Sequence, residues 1–156
     1  MSADSTNEQV FRFLEGEWLL RRHFAGSYSG AFTGKASVAH EADDLTTYRY
    51  TEQGELTDAE GKQFDAKQSY LYRLVEGKLQ VLKREGLEWI VMHDLEFHAD
   101  GRIANASHLH LCGQDHYATV YRVDFSGNWE VAYTVSGPKK DYSIRSAYTN
   151  KHRRSD

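Results

Sequence analysis

The chain has 156 residues, 40% apolar and 27% charged, with 19 Lys and Arg against 23 Asp and Glu for a formal charge of −4. That make-up describes a soluble globular chain, read as one domain over residues 1–156 and long enough to bury about 70% of its unfolded surface. It excludes a general nucleic-acid surface, which needs a basic excess, and a bilayer span, which needs an apolar run of about 18 residues. Met1 to Glu8 lack the basic and apolar regions of a secretory leader, and the single cysteine cannot close an internal disulfide. A cytoplasmic protein is expected, with neither membrane nor nucleic acid among its partners.

A short helix is expected from about Glu8 to Leu14, with Thr6 or Asn7 as N-cap and Val10, Phe11 and Leu14 on one face. Ten strands follow, near 17–24, 28–40, 45–56, 62–75, 78–83, 89–97, 103–112, 115–125, 129–137 and 142–151. The joints carry turn chemistry: Ala25-Gly26-Ser27, Asp43-Asp44, Asp58-Ala59-Glu60-Gly61, Glu76-Gly77, Glu85-Gly86, Ala99-Asp100-Gly101 and Ser126-Gly127-Asn128. A meander this long leaves costly open edges unless it closes on itself. The pattern therefore predicts an all-β, up-and-down antiparallel barrel of 8–10 strands over residues 16–151, with a short N-terminal helix. Lys151-His152-Arg153-Arg154 reads as a solvated basic tail.

Two hairpins set the faces. Gly113-Gln114 has the composition of a two-residue type II′ loop, which places Cys112 opposite Asp115, His110 opposite Tyr117 and His108 opposite Thr119. Alternation then gathers all six on one face. For the next hairpin, a three-residue loop Ser126-Gly127-Asn128 pairs Phe125 with Trp129, Val123 with Val131 and Tyr121 with Tyr133, and so collects the large residues inside. The same parity test turns inward Trp18, Leu20 and Arg22; Tyr48, Tyr50 and Glu52; Gln68, Tyr70 and Tyr72; and Tyr142, Ile144 and Tyr148. His93 and Asp94 fall on opposite faces of their strand and stay unassigned.

Ten tyrosines against two methionines make an interior suited to a polar or aromatic ligand. His110 and Tyr117, directly opposite one another, form a usable general base and acid pair. Arg22, Tyr50, Glu52, Tyr70, His108, Cys112, Asp115, Tyr121, Tyr133 and Tyr142 complete the candidate ligand-binding set. Inward Arg22 and Glu52 must pair or bind ligand, because a lone buried charge is expensive. Cys112 as a nucleophile is disfavoured by its distance of about 7 Å from His110 along the strand and by Asp115 beside it. It reads better as a small buried residue at the turn. His108 and His110 are too few for a closed structural metal site, so no metal and no cofactor are expected, with haem ligation an alternative. Gly137-Pro138-Lys139-Lys140-Asp141-Tyr142 is a rim turn that reads either as an anion latch or as solvated lysines. The missing side chain of Gly137 is read as room above Tyr117.

Gly16-Glu17-Trp18, after a short helix and opening the first strand, resembles the G-x-W start of lipocalins and their calycin relatives. That resemblance implies that Trp18 closes one barrel end under a basic side chain of the last strand, with Arg145 the nearest candidate. Phe13-Leu14-Glu15-Gly16-Glu17-Trp18, Gly34, Tyr48-Arg49-Tyr50-Thr51-Glu52-Gln53-Gly54, His110-Leu111-Cys112-Gly113-Gln114-Asp115-His116-Tyr117 and the Gly137–Tyr142 segment occur in one order. Together they resemble a mainly bacterial family of unknown function, number 6314, over about residues 11–151; Met92 departs from the aromatic expected before His93. The resemblance implies a calycin-like barrel and no particular reaction. The expected function is binding of a small aromatic or anionic molecule by a monomer or weak homodimer. The alternatives are an isomerase or cyclase using His110 and Tyr117, a haem-binding barrel, and a structural module.

Overall fold

A computed structural model describes residues 3–150; the tail Lys151-His152-Arg153-Arg154 lies outside the described residues. Helix α1 spans Ala3–Leu14, and the strands are β1 Gly16–Gly26, β2 Gly30–Glu41, β3 Asp44–Asp58, β4 Gln63–Val75, β5 Lys78–Glu85, β6 Glu88–Leu95, β7 His98–Asp100, β8 Ile103–Cys112, β9 Asp115–Asp124, β10 Asn128–Ser136 and β11 Asp141–Asn150. The extra strand, β7, is three residues long and takes up part of the expected Ala99-Asp100-Gly101 turn. All eleven form one antiparallel sheet in the order β6-β5-β4-β3-β2-β1-β11-β10-β9-β8-β7. This is the expected all-β antiparallel meander with a short N-terminal helix.

The sheet curls so that its first and last strands pair: Trp18 faces Asn150 and Phe24 faces Ile144 across β1 and β11. Closure is not by a ladder throughout, as the expectation of an edgeless barrel would have it. Among the described residues β6 and β8 approach one another without backbone pairing, which leaves a seam in the wall. A half-barrel results, with two strand edges facing each other.

Helix α1 closes one end and starts earlier than its composition suggested. Asn7 is not the N-cap but sits inside the helix, 1% exposed. Its side-chain amide donates to the Gly77 carbonyl (2.6 Å) and its oxygen accepts from the Phe97 N–H (2.8 Å), satisfying two backbone groups of distant turns. Val10, Phe11 and Leu14 face inward as the 3.6-residue period requires, and Phe11 stacks on Tyr48 at 3.9 Å. Gly16, at φ +137°, swings the chain from helix to strand. The Trp18 indole then donates to the Leu14 carbonyl (2.9 Å), one of the acceptors a helix end leaves without an internal partner.

Trp18 is buried, 2% exposed, in edge contact with Trp129 and tilted contact with Phe13. Arg145 does not cover it. Ile144, Ser146 and Tyr148 point inward, so Arg145 points out, and it meets Glu130 at 3.4 Å instead.

Both hairpins can be checked by register. Cys112 pairs with Asp115, His110 with Tyr117 and His108 with Thr119, with Gly113 at φ +62° and Gln114 outside the positive-φ residues, the pattern of a II′ turn. In the next hairpin Trp129 pairs with Val123, Val131 with Tyr121 and Tyr133 with Thr119, two residues from the expected pairing. The loop is Phe125-Ser126-Gly127, because Asp124 closes it: its Oδ1 accepts from the Ser126 N–H (2.9 Å) and hydroxyl (2.7 Å), while its carbonyl accepts from the Gly127 N–H (3.0 Å). A shift of two keeps side-chain parity, so the inward faces survive the error.

Gly34 and Gly54 face each other inside β2 and β3. A Cβ on Gly54 would lie 2.3 Å from the Thr33 carbonyl and 2.8 Å from the Phe32 ring. Their bare backbones let Phe32 fold flat across the sheet, where it carries the Arg22 guanidinium at 5.3 Å.

Candidate functional site

The end of the barrel opposite α1 holds a cavity of about 600 Å³. Its walls are the inward faces of β1, β3–β6 and β8–β11, and they carry seven tyrosines: Tyr50, Tyr70, Tyr72, Tyr117, Tyr121, Tyr133 and Tyr148. They come from five strands: Tyr50 from β3, Tyr70 and Tyr72 from β4, Tyr117 and Tyr121 from β9, Tyr133 from β10 and Tyr148 from β11, the β4 and β9 pairs being two and four residues apart on one face.

The floor is a satisfied polar network. Arg22 meets Glu52 through two parallel bonds (2.7 and 2.9 Å) and donates its Nε–H to the Ser146 hydroxyl (2.7 Å). Tyr50 donates to Glu52 Oε1 at 2.5 Å; having given its only proton there, it must accept from Tyr148 at 2.8 Å. Burial would lower the Arg22 pKa, but the hydrogen bonds to Glu52 and the charge of that carboxylate outweigh it, so the guanidinium is firmly cationic. The phenols are held in their protonated form. Burial, then neighbouring phenols and Glu52, lifts Tyr50 and Tyr72 well above the ordinary range, and burial with Tyr148 and Tyr70 does the same for Tyr121. Tyr148 is pushed up to about 12, by burial first, against Arg22.

Histidines line the seam. His93, on β6, reaches across to β9: its Nδ1 bonds the Tyr121 hydroxyl (2.7 Å) and its Nε2 the Thr119 hydroxyl (3.3 Å). One ring nitrogen donates and the other accepts, so the neutral ring serves both contacts. Burial, then His108 and Lys83, pushes its pKa down to about 4. His108 lies 5.5 Å away ring to ring and accepts a long bond (3.5 Å) from the Asp94 N–H. Side chains thus hold β6 to β8 and β9 where the backbone ladder is missing.

At the mouth, Lys140 donates to the Tyr117 hydroxyl (2.8 Å), lies 3.6 Å from Asp115 and stands over the Tyr117 ring. The His110 ring is 5.8 Å from that of Tyr117. Cys112 is exposed, not buried at its turn, and also borders the cavity.

Of the residues singled out from sequence, Arg22, Tyr50, Tyr70, His108, His110, Cys112, Tyr117, Tyr121 and Tyr133 line this one cavity. Glu52 lies beneath it as the partner of Arg22. Asp115 turns away to Lys140, filling the space that Gly137 leaves: a Cβ on Gly137 would come within 2.0 Å of the Asp115 carboxylate. That space therefore serves Asp115 and not Tyr117. Tyr142 opens β11 beside Val135 and is absent from the lining. Sequence reasoning missed His93 and Lys83. The signal for His93 was its parity with Leu95, obscured because β6 carries apolar residues on both faces and its pairing with β5 shifts register between Val81 and Leu82. Among the described residues no three His, Cys, Asp or Glu side chains converge to hold a metal ion, and no helix is long and apolar enough to cross a membrane.

The model of the family of unknown function DUF6314 matches residues 14–150. The chain belongs to that family. This DUF6314 protein is similar in fold to Rv2717c from M. tuberculosis, with a TM-score of 0.65 at 11% identity over 94% of this chain and 98% of that one. It is similar also to the S-type phycobiliprotein lyase CPES from Guillardia theta, with a TM-score of 0.61 at 12% identity over 99% and 100%. At such identities the likeness is of fold alone. Comparison with curated proteins gives no match.

Proposed function

We propose that this DUF6314 protein binds a small aromatic or anionic molecule in the tyrosine- and histidine-lined cavity, as a cytoplasmic monomer or weak homodimer. The cavity carries the reading: about 600 Å³ lies within the roughly 300–1,000 Å³ of small-molecule sites. Arg22, Tyr50, Tyr148 and His93 are already fixed by hydrogen bonds, so little order has to be imposed on that part of the cavity on binding. The exposed free thiol of Cys112 suits a reducing compartment. One neighbour in fold carries an enzyme's name, a phycobiliprotein lyase, which supports the reading only by analogy of architecture. The test is native mass spectrometry of the purified chain, with an absorption spectrum, alongside His110→Gln and Tyr117→Phe variants shown by melting to be folded. A non-protein mass that the variants retain less well is the expected result. A folded parent that carries no such mass, and whose melting no aromatic acid raises, would sink the proposal.

A second reading, proton transfer by His110 and Tyr117 in an isomerase or cyclase, is favoured by one observation. The Lys140 ammonium donates to the Tyr117 oxygen at 2.8 Å, an arrangement that would hold negative charge developing there.

A further inference from the structure

The chain is acidic overall, yet among the described residues no Asp or Glu lines the cavity. The deep cation Arg22 is already committed: three of its N–H groups go to Glu52 and Ser146. A charge so neutralised attracts a second anion weakly, and displacing Glu52 would leave a carboxylate stranded in a dry site. Cationic groups with an exposed side stand at the mouth instead. Lys83 borders the cavity on β5 and holds Glu85 at 3.3 Å with its side chain 46% exposed. Lys140, 48% exposed, stands over Tyr117 with Asp115 at 3.6 Å. His108 and His110 lie between them on β8.

The hydrogen-bonding sense agrees. An ammonium can only donate, so Tyr117 is the acceptor in its bond with Lys140, and its own proton is free for an acceptor in the mouth. Deeper in, Tyr72, Tyr121 and Tyr148 are protonated and ring-packed, a surface for a flat apolar body. Resting on the binding function argued above, we propose that the ligand is an aromatic organic anion bound in a fixed polarity. Its ring lies inward on the tyrosines, and its carboxylate or equivalent group lies outward between Lys83 and the Tyr117–Lys140 pair; Arg22 serves as scaffold and not as the anion's partner.

Two probes of one ring system decide this: 8-anilinonaphthalene-1-sulfonate and its uncharged counterpart N-phenyl-1-naphthylamine, titrated by fluorescence against the full chain. The sulfonate is expected to bind about fivefold more tightly, the upper scale of one partly exposed charge contact. That advantage should shrink with salt and fall to near parity in Lys83→Met/Lys140→Met, which leaves binding of the uncharged probe in place. Equal binding of both probes by the parent, or an advantage that survives loss of both lysines, would overturn the polarity while leaving a binding cavity. Failure of both probes to bind would overturn the cavity reading together with it.

Discussion

His93 gives the fold a measurable acid weakness. It is 8% exposed and held at about 4, against 6.5 for the free side chain, by burial and by the facing His108 of β8 and Lys83 of β5. Its other neighbours, Tyr121 and Thr119 of β9, are neutral hydrogen-bond partners. Between those two values the unfolded chain takes up a proton that the folded chain refuses. Stability from this group is therefore complete above about pH 6.5 and drains away as pH falls toward 4. A gap of about 2.5 pH units, at about 1.4 kcal/mol for each, amounts to about 3 kcal/mol by pH 4. The assay is urea unfolding of the parent and His93→Gln at pH 7.5, 6, 5 and 4, followed by tryptophan fluorescence. Glutamine can bond Tyr121 and Thr119 without titrating, so every other group contributes equally to both curves and only the difference in slope counts. The parent should lose about 3 kcal/mol more than the variant over that range. Parallel curves would refute the reasoning and place His93 in contact with solvent.

Two further outcomes test the scaffold. Glu52→Gln leaves the Arg22 guanidinium, 13% exposed, without its counter-charge, and should cost about 3–5 kcal/mol in urea unfolding, whereas the apolar double replacement Arg22→Met/Glu52→Leu recovers most of it. Asn7→Ala strands the Gly77 carbonyl and the buried Phe97 N–H and should cost about 2–4 kcal/mol, while Asn7→Asp, which keeps only the acceptor, falls between when melting curves are compared.

Local chemistry made part of this architecture legible in the residues themselves. Gly113-Gln114 dictates its own hairpin, because a two-residue loop with glycine first admits few backbone geometries, and the period of two then carries His108, His110 and Tyr117 to one face with no knowledge of the rest of the sheet. Parity proved sturdier than register. The Asp124 turn moved the β9–β10 pairing by two residues, yet Tyr117, Thr119, Tyr121, Val131 and Tyr133 still line the cavity. Parity also settled Arg145: once Ile144 and Tyr148 face in, it must face out, and only the lipocalin likeness suggested otherwise.

Tertiary structure alone decided where the sheet stops pairing. Strand β1 finds β11 at the far end of the chain, so the break falls between β6 and β8, and no local pattern marks it. The fates of two polar residues follow from that break. His93 becomes the bridge across the seam, and Asn7 abandons its own helix end for the turns at Gly77 and Phe97. Their partners are distant in sequence, and a buried polar group is assigned by which unsatisfied backbone or hydroxyl group the finished fold brings within reach.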